Sequence, residues 1–71
     1  MPIKYSPHAN KRSRQRGISK RHVKLTLLKP DIILPADRNR LMARKKLNGK
    51  TLEVIYVKEN AKIIIVTLYY L

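Results

Sequence analysis

Residues 41–57 read LMARKKLNGKTLEVIYV. Asn48-Gly49 interrupts the run, and this dipeptide is the one that best tolerates the positive φ needed at both central positions of a type I′ hairpin turn. The turn predicts two antiparallel strands, Leu41–Leu47 and Lys50–Val57, and sets their register. Arg44 falls opposite Glu53, an opposite-charge pair on one face, while Leu41 and Ala43 fall opposite Tyr56 and Val54 on the other. Downstream, Glu59-Asn60 predicts a further turn, and Lys62 to about Tyr70 returns as a last strand. Upstream, Ile32-Ile33-Leu34 is a short apolar run between Asp31 and Pro35 and reads as another strand.

The last strand is apolar on both alternations. Strict alternation puts Ile63, Ile65, Thr67 and Tyr69 on one face and Ile64, Val66, Leu68 and Tyr70 on the other. Two short helices cover a single face, so the second is expected to meet loops, a second copy or a partner peptide.

The helices come from the N-terminal part. Ser6 caps free amide groups and Pro7 suits the first helical position, so a helix starts there and runs to about Arg16. Gly17 ends it in the left-handed conformation. Ser19 caps a second helix from about Lys20 to Lys29, closed by Pro30, with Val23, Leu27 and Leu28 as its apolar face. The expectation is one α+β domain over residues 1–71: two N-terminal helices packed on an antiparallel meander of three or four strands.

The chain has 71 residues, no cysteine and a formal net charge of +13. A domain this short buries only about 60% of its unfolded surface, and without cysteine it has neither disulfides nor a thiol nucleophile. The longest uncharged stretch, Ile63 to Leu71, falls far short of the roughly 20 apolar residues of a membrane-spanning helix. Lys4, His8, Lys11 and Arg12 interrupt any apolar signal core, so a cytoplasmic location without membrane contact is expected. Residues 1–30 hold nine Lys or Arg and no acid. Such a field is the footprint of a chain that meets nucleic acid, and it also suits an acidic protein partner.

Chemistry is constrained by what is scarce. The four carboxylates, Asp31, Asp37, Glu53 and Glu59, are scattered along the sequence, so paired acids or a magnesium-binding acid cluster do not assemble readily. Two histidines without cysteine make a poor zinc site. No metal or other cofactor is therefore expected. Cation-assisted proton transfer remains. RNA carries its own nucleophile, the 2′-hydroxyl, and its cleavage needs a proton carrier plus fixed positive charge for the dianionic phosphorane. The string HANKRSRQRGIS, His8 to Ser19, sets His8, Arg12 and Arg16 at four-residue intervals on one helix face. His8 is either that proton carrier or a surface residue near a helix start. The arginines are either an anion site or a solvated face. Lys20/Lys24 and Arg12/Arg16 are like-charge neighbours, and Lys20 and Arg21 sit at the positive end of the second helix; a bound anion relieves all of these. Lys11, Arg14, Lys20, Arg21 and Arg44 are candidate phosphate contacts. Thr67 is either an ordinary β-branched strand residue or a hydroxyl within reach of a phosphate.

His8-Ala9, Arg12, Arg16-Gly17-Ile18-Ser19, a second helix, a meander and the closing Ile65-Val66-Thr67 together resemble the small bacterial and archaeal family called domain of unknown function 4258. The resemblance covers nearly the whole chain. It implies a fold near the RelE/ParE-type toxins and the wider group of metal-independent RNases, and it implicates His8, Arg12, Arg16 and Thr67 as site residues. The chain departs from the family pattern at Ser13, where an apolar residue is usual, and at His22, where an acid is usual. Two functional readings follow. One is a toxin-like domain that engages RNA, cleaves it without metal and is controlled by an acidic antitoxin over the open sheet face. The other is a non-catalytic nucleic-acid-binding module or small interaction protein.

Overall fold

The computed structural model describes residues 2–71, and in it the hairpin forms as its turn dictates. Asn48 and Gly49 take φ of 51° and 83°, and Leu41 pairs with Tyr56, Ala43 with Val54 and Arg44 with Glu53. The elements run β1 (Ile3–Tyr5), α1 (Pro7–Gln15), α2 (Lys20–Leu28), β2 (Ile32–Ala36), β3 (Arg40–Leu47), β4 (Lys50–Glu59) and β5 (Lys62–Tyr70). All the strands join one sheet in the order β1-β5-β4-β3-β2.

Both helices start where their serines predict. The hydroxyls of Ser6 and Ser19 accept from the amides of Ala9 and His22, each at 3.1 Å. Gly17 ends α1 with φ 62°. Each helix stops one residue early, leaving Arg16 and Lys29 as C-caps. α1 lies against β5 and β1, and α2 against β4 and β3. On α2 the buried pair is Val23 and Thr26, while Leu28 is 60% exposed. Thr26 tolerates burial because its hydroxyl donates to the His22 carbonyl at 2.8 Å, which satisfies its polar group within the helix.

Two features depart from the expected meander. The sheet has five strands and is mixed, because Ile3-Lys4-Tyr5 pairs in parallel with Ile63-Ile64-Ile65. Three residues carry too little alternation to announce a strand, and the partner lies far along the chain. The second departure is in β5. Ile55 pairs with Thr67 but Tyr56 pairs with Ile65, so Val66 is an extra residue, a β-bulge. A bulge reverses the facing of everything beyond it. Ile63, Ile65, Leu68 and Tyr70 therefore face the helices, and Ile64, Thr67 and Tyr69 face away, correcting the strict alternation expected for this strand. The buried core is Leu52, Val54, Tyr56, Ile63, Ile65 and Leu68 from β4 and β5, Ala43 from β3, and Ala9, Ile18 and Val23 from the helical half. A second hairpin, unannounced in sequence, joins β2 to β3 through the three residues Asp37-Arg38-Asn39, with Arg38 and Asn39 both at φ 60°. Pro35 is accommodated because β2 is an edge strand.

Candidate functional site

The bulge also anchors the helix that carries the candidate residues. The Ser6 amide donates to the Ile65 carbonyl at 2.9 Å, extending the β1–β5 ladder. Its hydroxyl, while capping α1, donates to the Val66 carbonyl at 3.0 Å. Ser6 thus pins the start of α1 to the bulge. His8 stands two residues beyond one end of that bond, and Thr67 stands one residue beyond the other.

On α1 the inner face is Ala9 and Ser13, with the Ser13 hydroxyl donating to the Asn10 carbonyl at 3.0 Å. The outer side holds His8, Lys11, Arg12 and Gln15, which line a hollow of about 180 Å³. His8 and Arg12 are therefore brought together, as helical spacing requires, with Lys11 and Gln15 beside them. Arg16, beyond the last helical residue, is exposed and does not line this hollow. Arg14, Lys20 and Arg21 are exposed as well. The Lys20 ammonium lies 5.9 Å from the centre of the Tyr5 ring, a cation–π contact between α2 and β1.

The sheet face away from the helices carries a second arrangement. Arg44, Glu53 and Tyr69 stand side by side across β3, β4 and β5. Glu53 is only 2% exposed. The Arg44 Nε donates to its Oε1 at 2.5 Å, and the Tyr69 hydroxyl donates to its Oε2. That hydrogen bond, then burial and the Glu53 charge, push the Tyr69 phenol above its usual range, against a weaker opposite pull from Arg44. Arg44 keeps further N–H groups on a side chain that is 36% exposed. One pleat along, Met42, Ile55 and Thr67 form the next row.

A family model described as Domain of unknown function (DUF4258) matches residues 5–70. The chain belongs to that family. No curated protein and no solved structure matches it. All nine candidate residues of this DUF4258 chain lie within the matched span. Five of them fall into two groups, His8, Lys11 and Arg12 on α1 and Thr67 with Arg44 on the open sheet face, joined through the Ser6–Val66 bond; Arg14, Arg16, Lys20 and Arg21 are exposed outside both. Among the described residues no three His, Cys, Asp or Glu side chains gather in a way that could hold a metal ion. Sequence reading missed Gln15 and Tyr69 as neighbours of these groups. The helical spacing of Gln15 from Lys11 and Arg12 was a usable signal; Tyr69 had none, because the bulge decides its face.

Proposed function

We propose that this domain engages RNA and cleaves it by a metal-independent, RelE/ParE-like mechanism, under control of an acidic antitoxin-like partner. The observation that carries the reading is the hollow of His8, Lys11 and Arg12 on a helix whose first turn is bonded to the strand bearing Thr67. A histidine one helical turn from two cations is a proton carrier placed beside fixed positive charge, which is what cleavage by the 2′-hydroxyl requires. In that step His8 takes the proton of the 2′-hydroxyl, O2′ bonds to phosphorus, and the bond to the 5′-oxygen breaks as that oxygen takes a proton from solvent water, whose hydroxide is neutralised when His8 releases its proton. Lys11 and Arg12 stabilise the doubly charged phosphorane, and Arg16, Arg14, Lys20 and Arg21 add to the field that draws in the strand. The products are a 2′,3′-cyclic phosphate and a 5′-hydroxyl. The open sheet face, with Ile55, Val57, Ile64 and Val66 half-buried, offers an acidic partner segment an apolar surface in a basic surround.

Incubation of cytoplasm-like RNA substrates, with and without ribosomes, tests this. His8→Ala is expected to slow cleavage by about 10²–10⁴-fold while leaving binding nearly intact, and DNA is expected to survive. Tight, salt-dependent binding without cleavage under any of these conditions would favour the non-catalytic module instead.

A further inference from the structure

A hollow of about 390 Å³ opens where β2 turns into β3, lined by Pro35, Ala36, Asp37, Arg40, Met42 and Ile55. Met42 and Ile55 are paired across β3 and β4 and form its apolar floor. Ile55 is in turn paired with Thr67, so the floor lies one strand spacing, about 4.8 Å, from that hydroxyl-bearing residue. Asp37 and Arg40 make the polar edge. Among the described residues neither takes part in an ion pair; those present join Arg44 to Glu53 and Lys45 to Asp31. Between them, Arg38 is held at φ 60°, a conformation that side-chain-bearing residues rarely adopt and that turns usually assign to Asn or Gly. The turn that joins the two polar edge residues is thus held in a strained conformation, of a kind that concentrates at ligand-binding sites.

We propose that this hollow is a base subsite that accepts one unstacked nucleobase of a single-stranded RNA, with guanine preferred. The inference rests on the RNA reading above and gives it a specificity. Its size falls within the roughly 300–1,000 Å³ of small-molecule sites, and its composition is the usual one of apolar lining with few polar groups. The face of a base packs on Met42 and Ile55, and the edge meets Arg40 and Asp37. Guanine suits that pair best: its O6 and N7 accept from an arginine, and its N1–H and N2–H₂ donate to a carboxylate. The adjoining phosphate then lies toward Thr67 and Arg44, the other candidate residues of the open face.

Fluorescence anisotropy with labelled ten-residue RNAs separates this from charge alone. Three strands are compared: oligouridine with one central guanosine, with one central adenosine, and with an abasic ribose at the same place. The guanosine strand is expected to bind about tenfold tighter than the abasic one. Asp37→Asn, a surface change that removes one negative charge, is expected to abolish most of that preference while slightly strengthening binding of the abasic strand. Equal binding of the guanosine and abasic strands by the parent chain, with salt-dependent affinity intact, overturns the base subsite and leaves the RNA reading standing. An Asp37→Asn variant with undiminished preference for guanosine also overturns it. Failure of every strand to bind overturns both.

Discussion

Glu53 is buried on the side of the sheet away from the helices, and each of its oxygens is held by one donor, the Arg44 Nε and the Tyr69 hydroxyl. Its charge is tolerated there only while both donors remain. Arg44→Ala is expected to destabilise the fold by about 1–3 kcal/mol, less than a fully buried pair because Arg44 reaches solvent, and urea denaturation reads this directly. Tyr69 gives the pair a pH signature. Its folded pKa lies above the ordinary phenol value of about 10, so the native state holds its proton more tightly than the unfolded chain. That stabilisation is complete below the unfolded value and is lost as pH rises through the folded one. Stability is therefore expected to fall on the alkaline side of about pH 10. Tyr69→Phe, which cannot ionise, is expected to lower stability at neutral pH and to make the alkaline fall shallower. Tyr5 and Tyr56, both raised by burial, act with the same sign, so part of the fall persists. An identical alkaline slope in parent and variant would show that Glu53 does not hold the phenol proton. The Arg44–Glu53 half of this cluster was legible in the sequence, because Asn48-Gly49 fixes its register. The Tyr69 half was not.

At the scale of elements, β5 holds the reason. A run such as Ile63-Ile64-Ile65-Val66 is apolar in every phase, so nothing in it tells a reader where the alternation slips. The slip at Val66 makes Leu68 fully buried and sends Thr67 and Tyr69 outward. Deleting Val66 is expected to leave the pairs Tyr56–Ile65, Ile55–Thr67 and Val54–Leu68 in register, because Val66 is the extra residue, and so to keep Thr67 and Tyr69 outward and Leu68 and Tyr70 inward. What the deletion removes is the carbonyl that accepts from Ser6, so a retained β-sheet circular dichroism spectrum with a lower urea midpoint is expected. A deletion variant as stable as the parent would mean that the bulge and its bond to Ser6 are dispensable. The helices were legible for the opposite reason: their limits are written locally, in Ser6-Pro7, Gly17 and Ser19, and the hydrogen bonds follow within three residues. β1 and the Arg38-Asn39 turn escaped notice because one is three residues long and the other uses a residue that usually avoids positive φ.

For the whole molecule, charge sets the terms of association. Two copies that each carry +13 repel, and the repulsion reaches across a Debye length of about 10 Å at 0.1 M salt. Any pairing of the open sheet face with itself is thus expected to strengthen as salt is added, whereas binding to RNA or to an acidic protein segment weakens. Sedimentation velocity between about 50 and 500 mM salt distinguishes the two. A dimer that forms at low salt and separates at high salt would contradict this, since it would have to be held by opposite charges. The expected concentration of charge in residues 1–30 stands in the sequence, but the division of the candidate residues between a helix and the far face of a sheet required the fold.

The bond from Ser6 to Val66 spans sixty positions, and this separation has a bearing on synthesis. A nascent chain can form the Asn48-Gly49 hairpin and both helices from neighbouring residues, but the contacts that place α1 exist only after β5 has left the ribosome. Closing so long a loop is slow relative to local structure, so α1 and its cations dock late. Until then His8 and Thr67 are not held in relation to each other. On the proposed reading, a ribosome making this protein is therefore exposed to its activity only once β5 has emerged.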